Sequence, residues 1–88
     1  MIYHVEETEE VLAELSALPA EALTAYLELR TTLELTPWSG NQYNPDNPAG
    51  ANMRTQPFGS GHGLAIYVII EHPELDEHRV VITRTTWI

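Results

Sequence analysis

Residues 8–37 read TEEVLAELSALPAEALTAYLELRTTLELTP, and this stretch decides the fold class. Its first residue, Thr8, can accept a hydrogen bond from a free backbone N–H, and Glu9 and Glu10 follow it where carboxylates favour the positive end of a helix dipole. Apolar side chains then recur at helical spacing, at Val11, Leu12, Leu15 and Leu18. The pattern predicts an amphipathic helix that begins after Thr8.

A second helix is predicted directly after the first. Pro19 ends the first helix and suits the first turn of the next, where its missing N–H costs nothing. One stripe of this second helix combines Leu23, Tyr26, Leu27, Arg30 and Leu33, with Ala22 and Leu29 beside it, while Glu21, Glu28 and Glu34 point to solvent. Thr36 precedes Pro37 and is therefore pushed out of helical geometry. Two amphipathic helices with almost no linker predict an αα-hairpin.

The segments around the hairpin are typical of β-structure. Within residues 1–6, apolar and polar side chains alternate from Tyr3 to Glu6, and the segment predicts a short strand. Three further strands are predicted at residues 53–58, 64–70 and 79–87, separated by a glycine-rich turn and a polar turn. The apolar run at residues 64–70 is typical of a central strand that is covered on both faces or well packed on one. The order β-α-α-β-β-β predicts a two-layer α+β fold, with the helical hairpin packed on an antiparallel sheet. The first strand should pair with one of the other three, and the sequence does not specify which.

Residues 37–52, PWSGNQYNPDNPAGAN, interrupt this pattern with turn-forming residues. A loop of this length inside a compact domain is uncommon and often functional. Two interpretations are open for its aromatic residues, Trp38 and Tyr43. Either they fold back as anchors over a sheet edge or the helices, or they are exposed and bind a partner.

Composition limits the classes of function. The 88 residues contain 13 acidic side chains against four basic ones, all arginine, and the formal net charge is -9. This length fits one domain over residues 1–88. The negative balance argues against nonspecific binding of nucleic acid, which needs a positive face. The absence of cysteine excludes disulfides and thiolate metal sites, and neither a membrane-length apolar run nor a secretion-signal pattern is present. We therefore expect a cytoplasmic protein that does not contact membranes.

The histidines are the acid–base candidates near neutral pH, and they stand at His4, His62, His72 and His78. None has the spacing of a helical metal site, so we expect neither a metal nor a cofactor. His72 and His78 flank one turn, and we interpret them as solvated. The turn at residues 59–63, GSGHG, connects strand to strand in a chain without lysine, which favours a hairpin with positive φ over a phosphate-binding loop.

Charged residues give two further patterns. The acidic cluster of Glu6, Glu7, Glu9, Glu10 and Glu14 is either a docking face for a basic partner or the solvated side of a helix. Arg54, Arg79 and Arg84 fall in predicted strands, and ion pairing with a carboxylate is the expected state of each. An unbroken last strand would place Arg79 and Arg84 on opposite faces, because their numbers differ by five.

The order of elements resembles that of the RelE/ParE superfamily of toxin–antitoxin toxins. The segment LAIY at residues 64–67 is similar to the family's apolar strand that ends in tyrosine, and VVITR at residues 80–84 is similar to its last strand, which leads to a basic residue. The resemblance implies a metal-independent, ribosome-dependent mRNA endonuclease. Arg54 and Arg84 would then stabilise phosphate charge, His62 would be the nearest proton shuttle, and Trp87 would stand where many relatives have Tyr or His.

The sequence departs from the family pattern at the residues that would carry out catalysis. Leu64 stands where the family has an arginine, no lysine is present, and tryptophan cannot transfer a proton at neutral pH. Residues 1–34 carry one arginine against eight acids, and residues 35–88 carry three against five. Neither half is positive, which opposes docking on ribosomal RNA.

We therefore interpret the chain as a small toxin-like protein of a toxin–antitoxin type system. It would act through protein–protein contacts with a basic partner or a cognate antitoxin, its nuclease chemistry weakened or absent. The alternative is the ribosome-dependent endoribonuclease that uses Arg54 and Arg84. A third interpretation is an acidic inhibitor that imitates nucleic acid. The sequence is also compatible with a homodimer through an exposed sheet edge.

Overall fold

The computed structural model describes residues 2–88 and contains two helices and five strands. In chain order the elements are β1 (His4–Glu7), α1 (Glu9–Ser16), α2 (Ala20–Leu35), β2 (Asn41–Gln42), β3 (Met53–Phe58), β4 (Gly63–His72) and β5 (Glu77–Trp87). The predicted α+β arrangement, with a helical hairpin packed on a sheet, is confirmed. The first strand was predicted over residues 1–6, whereas the observed strand β1 begins at His4. Met1 lies outside the described residues.

The strands form one sheet in the order β1-β5-β4-β3-β2. β3, β4 and β5 make the expected antiparallel meander, whereas β1 pairs in parallel with β5. The pairing partner that the sequence left open is therefore β5, and the sheet is mixed. A parallel pair requires a long connection, and the chain between β1 and β5 supplies one because it contains both helices and the rest of the sheet.

The segment at residues 37–52 carries more structure than a loop. Single 3₁₀ turns form at Pro37–Ser39 and Pro48–Gly50, and β2 lies between them as an edge strand on β3. The Tyr67 hydroxyl donates to the Pro37 carbonyl over 2.6 Å and fixes the start of the segment. Gly40 packs so closely on Tyr67 that a side chain at this position would collide with the hydroxyl.

Helix α1 begins as predicted, with the Thr8 side chain accepting from the Val11 N–H over 3.3 Å. The buried stripe of α2 is rotated from the predicted one and consists of Ala22, Tyr26, Leu29 and Leu33. Leu23 and Leu27 are exposed. The exposed leucines and the buried residues both repeat with helical spacing. The stripe of Leu23 and Leu27 also contains Arg30 and Glu34, whereas the buried stripe is apolar throughout, and the apolar stripe faces the core.

The core lies between the helices and one face of the sheet. The helices contribute Val11, Tyr26, Leu29 and Leu33, and the sheet contributes alternate residues of its strands, including Val5, Ala65, Tyr67, Ile69, Val80 and Ile82. Side chains alternate between the two faces of a strand, so the neighbours of these residues lie on the face that carries no helix. No helix within residues 2–88 is long and apolar enough to cross a membrane.

Candidate partner-binding surface

The face of the sheet opposite the helices is apolar at its centre. Register pairs Val68 with Met53 on one side and with Val81 on the other, and residues directly opposite share a face. Ile66 and Ile70 lie two residues away along β4 on the same face. We call this surface the open face, and its apolar members are Met53, Leu64, Ile66, Val68, Ile70 and Val81. Most are half-buried, and Leu64 is 40% exposed.

Polar and aromatic residues border the open face. On the β5 side, Arg79 pairs with Glu6 over 2.7 Å, and the two residues lie on neighbouring strands. On the opposite side, the Tyr43 N–H donates to the Met53 carbonyl and continues the register of β2 and β3 by one residue. Strand alternation therefore puts Tyr43 beside Met53 on the open face, where its side chain is 53% exposed. A contiguous apolar area with a polar border is typical of a protein-binding surface.

Trp38, the second aromatic candidate, lies on the helix side of the sheet edge. Its indole N–H donates to Glu71 over 3.2 Å, and the Arg54 guanidinium stacks 5.1 Å from its ring centroid. Trp38 thus serves as an anchor while keeping 42% of its surface exposed. Trp38 is therefore an anchor, whereas Tyr43 is exposed, and partner binding by these two residues stays a prediction.

Arg54 and Arg84 do not converge. Arg54 pairs with Tyr67 in register and therefore shares the helix-covered face, whereas Arg84 pairs with Ile66 and belongs to the open face. The Arg54 side chain donates to the Ala51 carbonyl over 2.8 Å and to the Gly40 carbonyl over 3.0 Å. These bonds fix the edge segment to β3, and they occupy the group that the nuclease interpretation requires for phosphate.

A β-bulge explains the position of Arg84. The register shifts between Ile66 and Tyr67, so that Thr83 has no direct partner on β4. Because the bulge adds one residue, Arg79 and Arg84 lie on the same face, and the expectation that an unbroken strand places them on opposite faces does not apply. Arg84 is 66% exposed, with its Nε 4.0 Å from Glu14.

His62 and Trp87 lie together at one end of the sheet. Their rings are 5.7 Å apart and line a shallow hollow of about 420 Å³, together with Glu21, Ala25, Gly59, Ser60 and Ile88. Gly59, Ser60 and Gly61 all have positive φ, as the glycine-rich turn predicts. Trp87 pairs with Gly63 on β4, whereas Arg84 pairs with Ile66, three residues farther along that strand. His62, Arg54 and Arg84 therefore occupy three separate places.

The two histidines that flank the polar turn differ, because His72 is exposed and His78 is not. His78 is only 13% exposed and packs edge-on against Tyr3, so the interpretation of this turn histidine as solvated is wrong. It belongs to a cluster around Glu71, which accepts from the Tyr3 hydroxyl over 2.6 Å. The bond from Tyr3 makes the largest contribution, and with those from Trp38 and His78 it lowers the pKa of Glu71 below its ordinary 4.5. Among residues 2–88, no three carboxylate or imidazole side chains are grouped to hold a metal ion.

The acidic cluster does not form one face. Glu7 accepts from the Tyr26 hydroxyl over 2.6 Å, Glu6 pairs with Arg79, and Glu14 accepts from the Thr85 N–H over 3.0 Å. Only Glu9 and Glu10 are exposed. Three of the five carboxylates therefore stabilise the fold, and neither sequence interpretation describes the whole cluster.

Sequence reasoning missed the open face, although a signal was present. Both the odd and the even positions of residues 64–70 are apolar, which would suit a strand covered on two sides. Only one helical hairpin is available, and it covers one face. The apolar positions that the helices do not cover are the best candidates for contact with another molecule.

Comparison with known proteins supports the fold assignment. The structure is similar to a chain in the crystal structure of the archaeal RelE–RelB complex from Pyrococcus horikoshii OT3, with a TM-score of 0.67 and 18% sequence identity. The match covers 99% of this chain and 96% of that chain. The predicted resemblance to a RelE-like fold is thereby confirmed. No protein-family model matches the sequence, and no curated protein matches it significantly.

Proposed function

We propose that this chain is the toxin-fold member of a toxin–antitoxin type pair, and that it works by binding a protein partner, its cognate antitoxin, rather than by cleaving RNA. The observation that carries the proposal is the open face, an apolar sheet surface that the chain's own helices leave uncovered. A RelE–RelB complex contains a similar fold, which supports a protein as the occupant.

The state of the arginines supports the same proposal. Arg30 lies 2.9 Å from Glu7, Arg79 lies 2.7 Å from Glu6, and Arg54 is bonded to two backbone carbonyls. A nuclease site stabilises the charge of a transferring phosphoryl group with several converging cations. Arg84 has the most exposed side chain among the ion-paired arginines, and one separate cation does not make such a site.

The endoribonuclease remains the alternative because Arg84 lies on the open face with two thirds of its side chain exposed. A message bound across this face would contact Arg84, and the formal charge of -9 would oppose that contact. The two functions therefore predict different responses of binding to salt. Apolar protein contact tolerates salt, whereas phosphate contact weakens steeply with it.

The direct test is co-expression with the protein encoded by the neighbouring reading frame, followed by calorimetric titration of the purified components. The variant Leu64→Gln with Ile70→Gln removes apolar area from the open face. Leu75→Gln is the matched control, since Leu75 is 72% exposed in the turn before β5. We expect roughly a tenfold or greater loss of affinity for the double variant, since burying one aliphatic side chain contributes about 1.5–3 kcal/mol, and no change for the control. A neighbouring protein that does not bind, or that binds both variants as tightly as the native chain, would contradict the proposal.

A further inference from the structure

Strand β4 extends beyond the end of β3 and leaves part of its edge without a strand partner. β3 begins at Met53, whereas β4 continues along β5 as far as His72. Just before Met53, Asn52 bonds to β4 with both its backbone and its side chain. Its carbonyl accepts from the Ile69 N–H over 2.9 Å, and its side-chain amide donates to the Ile69 carbonyl over 3.2 Å. The uncovered stretch of the β4 edge is therefore residues 70–72.

The backbone of Glu71 points out of this uncovered edge. Along a strand in an antiparallel sheet, the N–H and C=O groups of successive residues point to opposite edges. Glu71 therefore points the same way as Ile69, which is the side of β3 and Asn52. Within residues 2–88, the hydrogen bonds of Glu71 on that side involve its carboxylate and not its backbone. An unpaired donor and acceptor on a strand edge are complementary to the backbone of another strand.

A hollow of about 380 Å³ lies along the same stretch, and we call it the β4 hollow. It is lined by Trp38, Asn52 and residues 69–72. The Trp38 side chain is 42% exposed and supplies an aromatic wall. A volume of this size falls in the range of binding pockets, which starts at about 300 Å³. The edge thus offers two backbone groups for pairing and, beside them, room for a side chain.

We propose that an extended segment of a partner protein adds to β4 at the β4 hollow and pairs with the backbone of Glu71. The segment would continue the line of β3, antiparallel to β4. Its residue opposite Glu71 would then lie on the helix side against Trp38, and a neighbouring residue would lie beside Ile70 on the open face.

The backbone pairing selects the occupant. A nucleic acid does not present N–H and C=O groups at the spacing of a strand, whereas an extended peptide does. A second copy of this chain would bring together two molecules with a formal charge of -9 each, which opposes the contact. The inference does not depend on what covers the open face.

Hydrogen exchange in the free protein tests whether the edge is unpaired. The Glu71 amide should exchange roughly tenfold or more faster than the Ile69 amide, which Asn52 holds. Equally slow exchange at the two amides would mean that the edge is already closed. Exchange at Glu71 that slows as the protein concentration rises would assign the edge to a second copy. Either result would overturn the proposal.

A synthetic peptide tests strand addition directly. The probe is Thr-Val-Leu-Val-Thr with both ends blocked, and its counterpart carries an N-methyl group on the central leucine, which removes one backbone donor. Each is titrated to about 2 mM, a range that detects weak binding, against the ¹⁵N-labelled chain. The first should shift the Glu71 amide and the Trp38 indole signals and slow exchange at Glu71. The methylated peptide should bind roughly tenfold more weakly, because the Glu71 carbonyl loses its donor. Equal binding of both peptides, binding of neither, or shifts confined to the open face would contradict strand addition.

Two aromatic variants locate the peptide. Trp38→Leu should weaken it roughly three- to tenfold, because the β4 hollow loses part of its apolar wall. Tyr43→Leu is the matched control, since Tyr43 belongs to the same edge segment and is 53% exposed but does not line the β4 hollow. Circular dichroism verifies that both variants keep the fold. Equal weakening by the two changes, or weakening by Tyr43→Leu alone, would place the peptide elsewhere and refute the assignment.

Discussion

At the scale of single residues, a few hydrogen bonds connect the layers of the fold. Tyr26 on α2 is buried and donates to Glu7 on β1, which also lies 2.9 Å from the Arg30 Nε. Burial, and then the bond to Glu7, raises the pKa of Tyr26 far above its ordinary value of 10.0, so the hydroxyl stays a donor. Together with the Arg30 side chain, which donates to the Val5 carbonyl over 2.6 Å, this contact joins the second helix to the edge strand.

Removing the Tyr26 hydroxyl should therefore destabilise the protein. For Tyr26→Phe we expect a loss of about 1–3 kcal/mol in the free energy of unfolding, the range for hydrogen bonds to charged groups. Urea denaturation measures it. Tyr43→Phe serves as the control, since Tyr43 is half exposed and its hydroxyl has no hydrogen-bond partner within residues 2–88. Identical midpoints for the two variants would show that the bond to Glu7 does not stabilise the fold.

Glu71 should contribute to acid sensitivity. Because its folded pKa lies below 4.5, its contribution to stability is present above that pH and is lost as the pH falls through the lower folded pKa. The bond from Tyr3 is the largest cause, so Tyr3→Phe should flatten the dependence of unfolding free energy on pH below about 4.5. Glu6, whose pKa Arg79 lowers, titrates in the same window and leaves a residual slope. Urea denaturation in that pH window gives the slope, and an unchanged slope in Tyr3→Phe would count against this assignment.

At the scale of elements, the first helix completes an edge that the first strand leaves open. β1 pairs with β5 only as far as Ile82. Beyond it, the Thr85 N–H donates to Glu14 of α1 over 3.0 Å, and Thr85 itself is only 4% exposed. The carboxylate of Glu14 thus takes the place of a strand partner. The part of the β5 edge that could pair with another chain is therefore short.

Glu14→Ala should open this edge. The Thr85 N–H would lose its acceptor while partly buried, which costs about 1–3 kcal/mol of stability. Hydrogen exchange at the Thr85 amide should accelerate, while amides in the centre of β4 should change only as global stability does. Glu10→Ala, on the exposed side of the same helix, is the control and should shift stability by about 0.5 kcal/mol or less. Slow exchange at Thr85 in Glu14→Ala would rule out this role.

The elements also show what sequence could predict. Helix starts, the hairpin and the meander follow from local patterns such as the Thr8 cap and the β-branched run before Thr83. Two stripes of α2 have similar helical spacing, and predicting the buried one required a choice between them. The predicted stripe contained Arg30, whereas the buried stripe is apolar throughout. The faces of Arg54 and Arg84 depend on pairing register and on a bulge, which are tertiary properties that no local pattern encodes. Tyr43 was selected for its residue type, and only the register of β2 puts it on the open face.

At the scale of the whole molecule, the negative charge argues against nucleic acid as the partner. The fold is RelE-like, but 13 acidic residues oppose four arginines, and three of those arginines are held by contacts of 3.0 Å or shorter within the chain. The sheet offers an apolar face in a chain of strongly negative charge. Such a surface suits a protein better than a phosphate backbone.

The most direct test of this account is the integrity of messenger RNA in a translating extract. Purified protein is added in excess over ribosomes, and the 5′ ends of the message are mapped, with a RelE protein of proven activity as the positive control. The account predicts an intact message at every protein concentration. New 5′ ends that appear with the native chain and disappear with Arg84→Ala would contradict it.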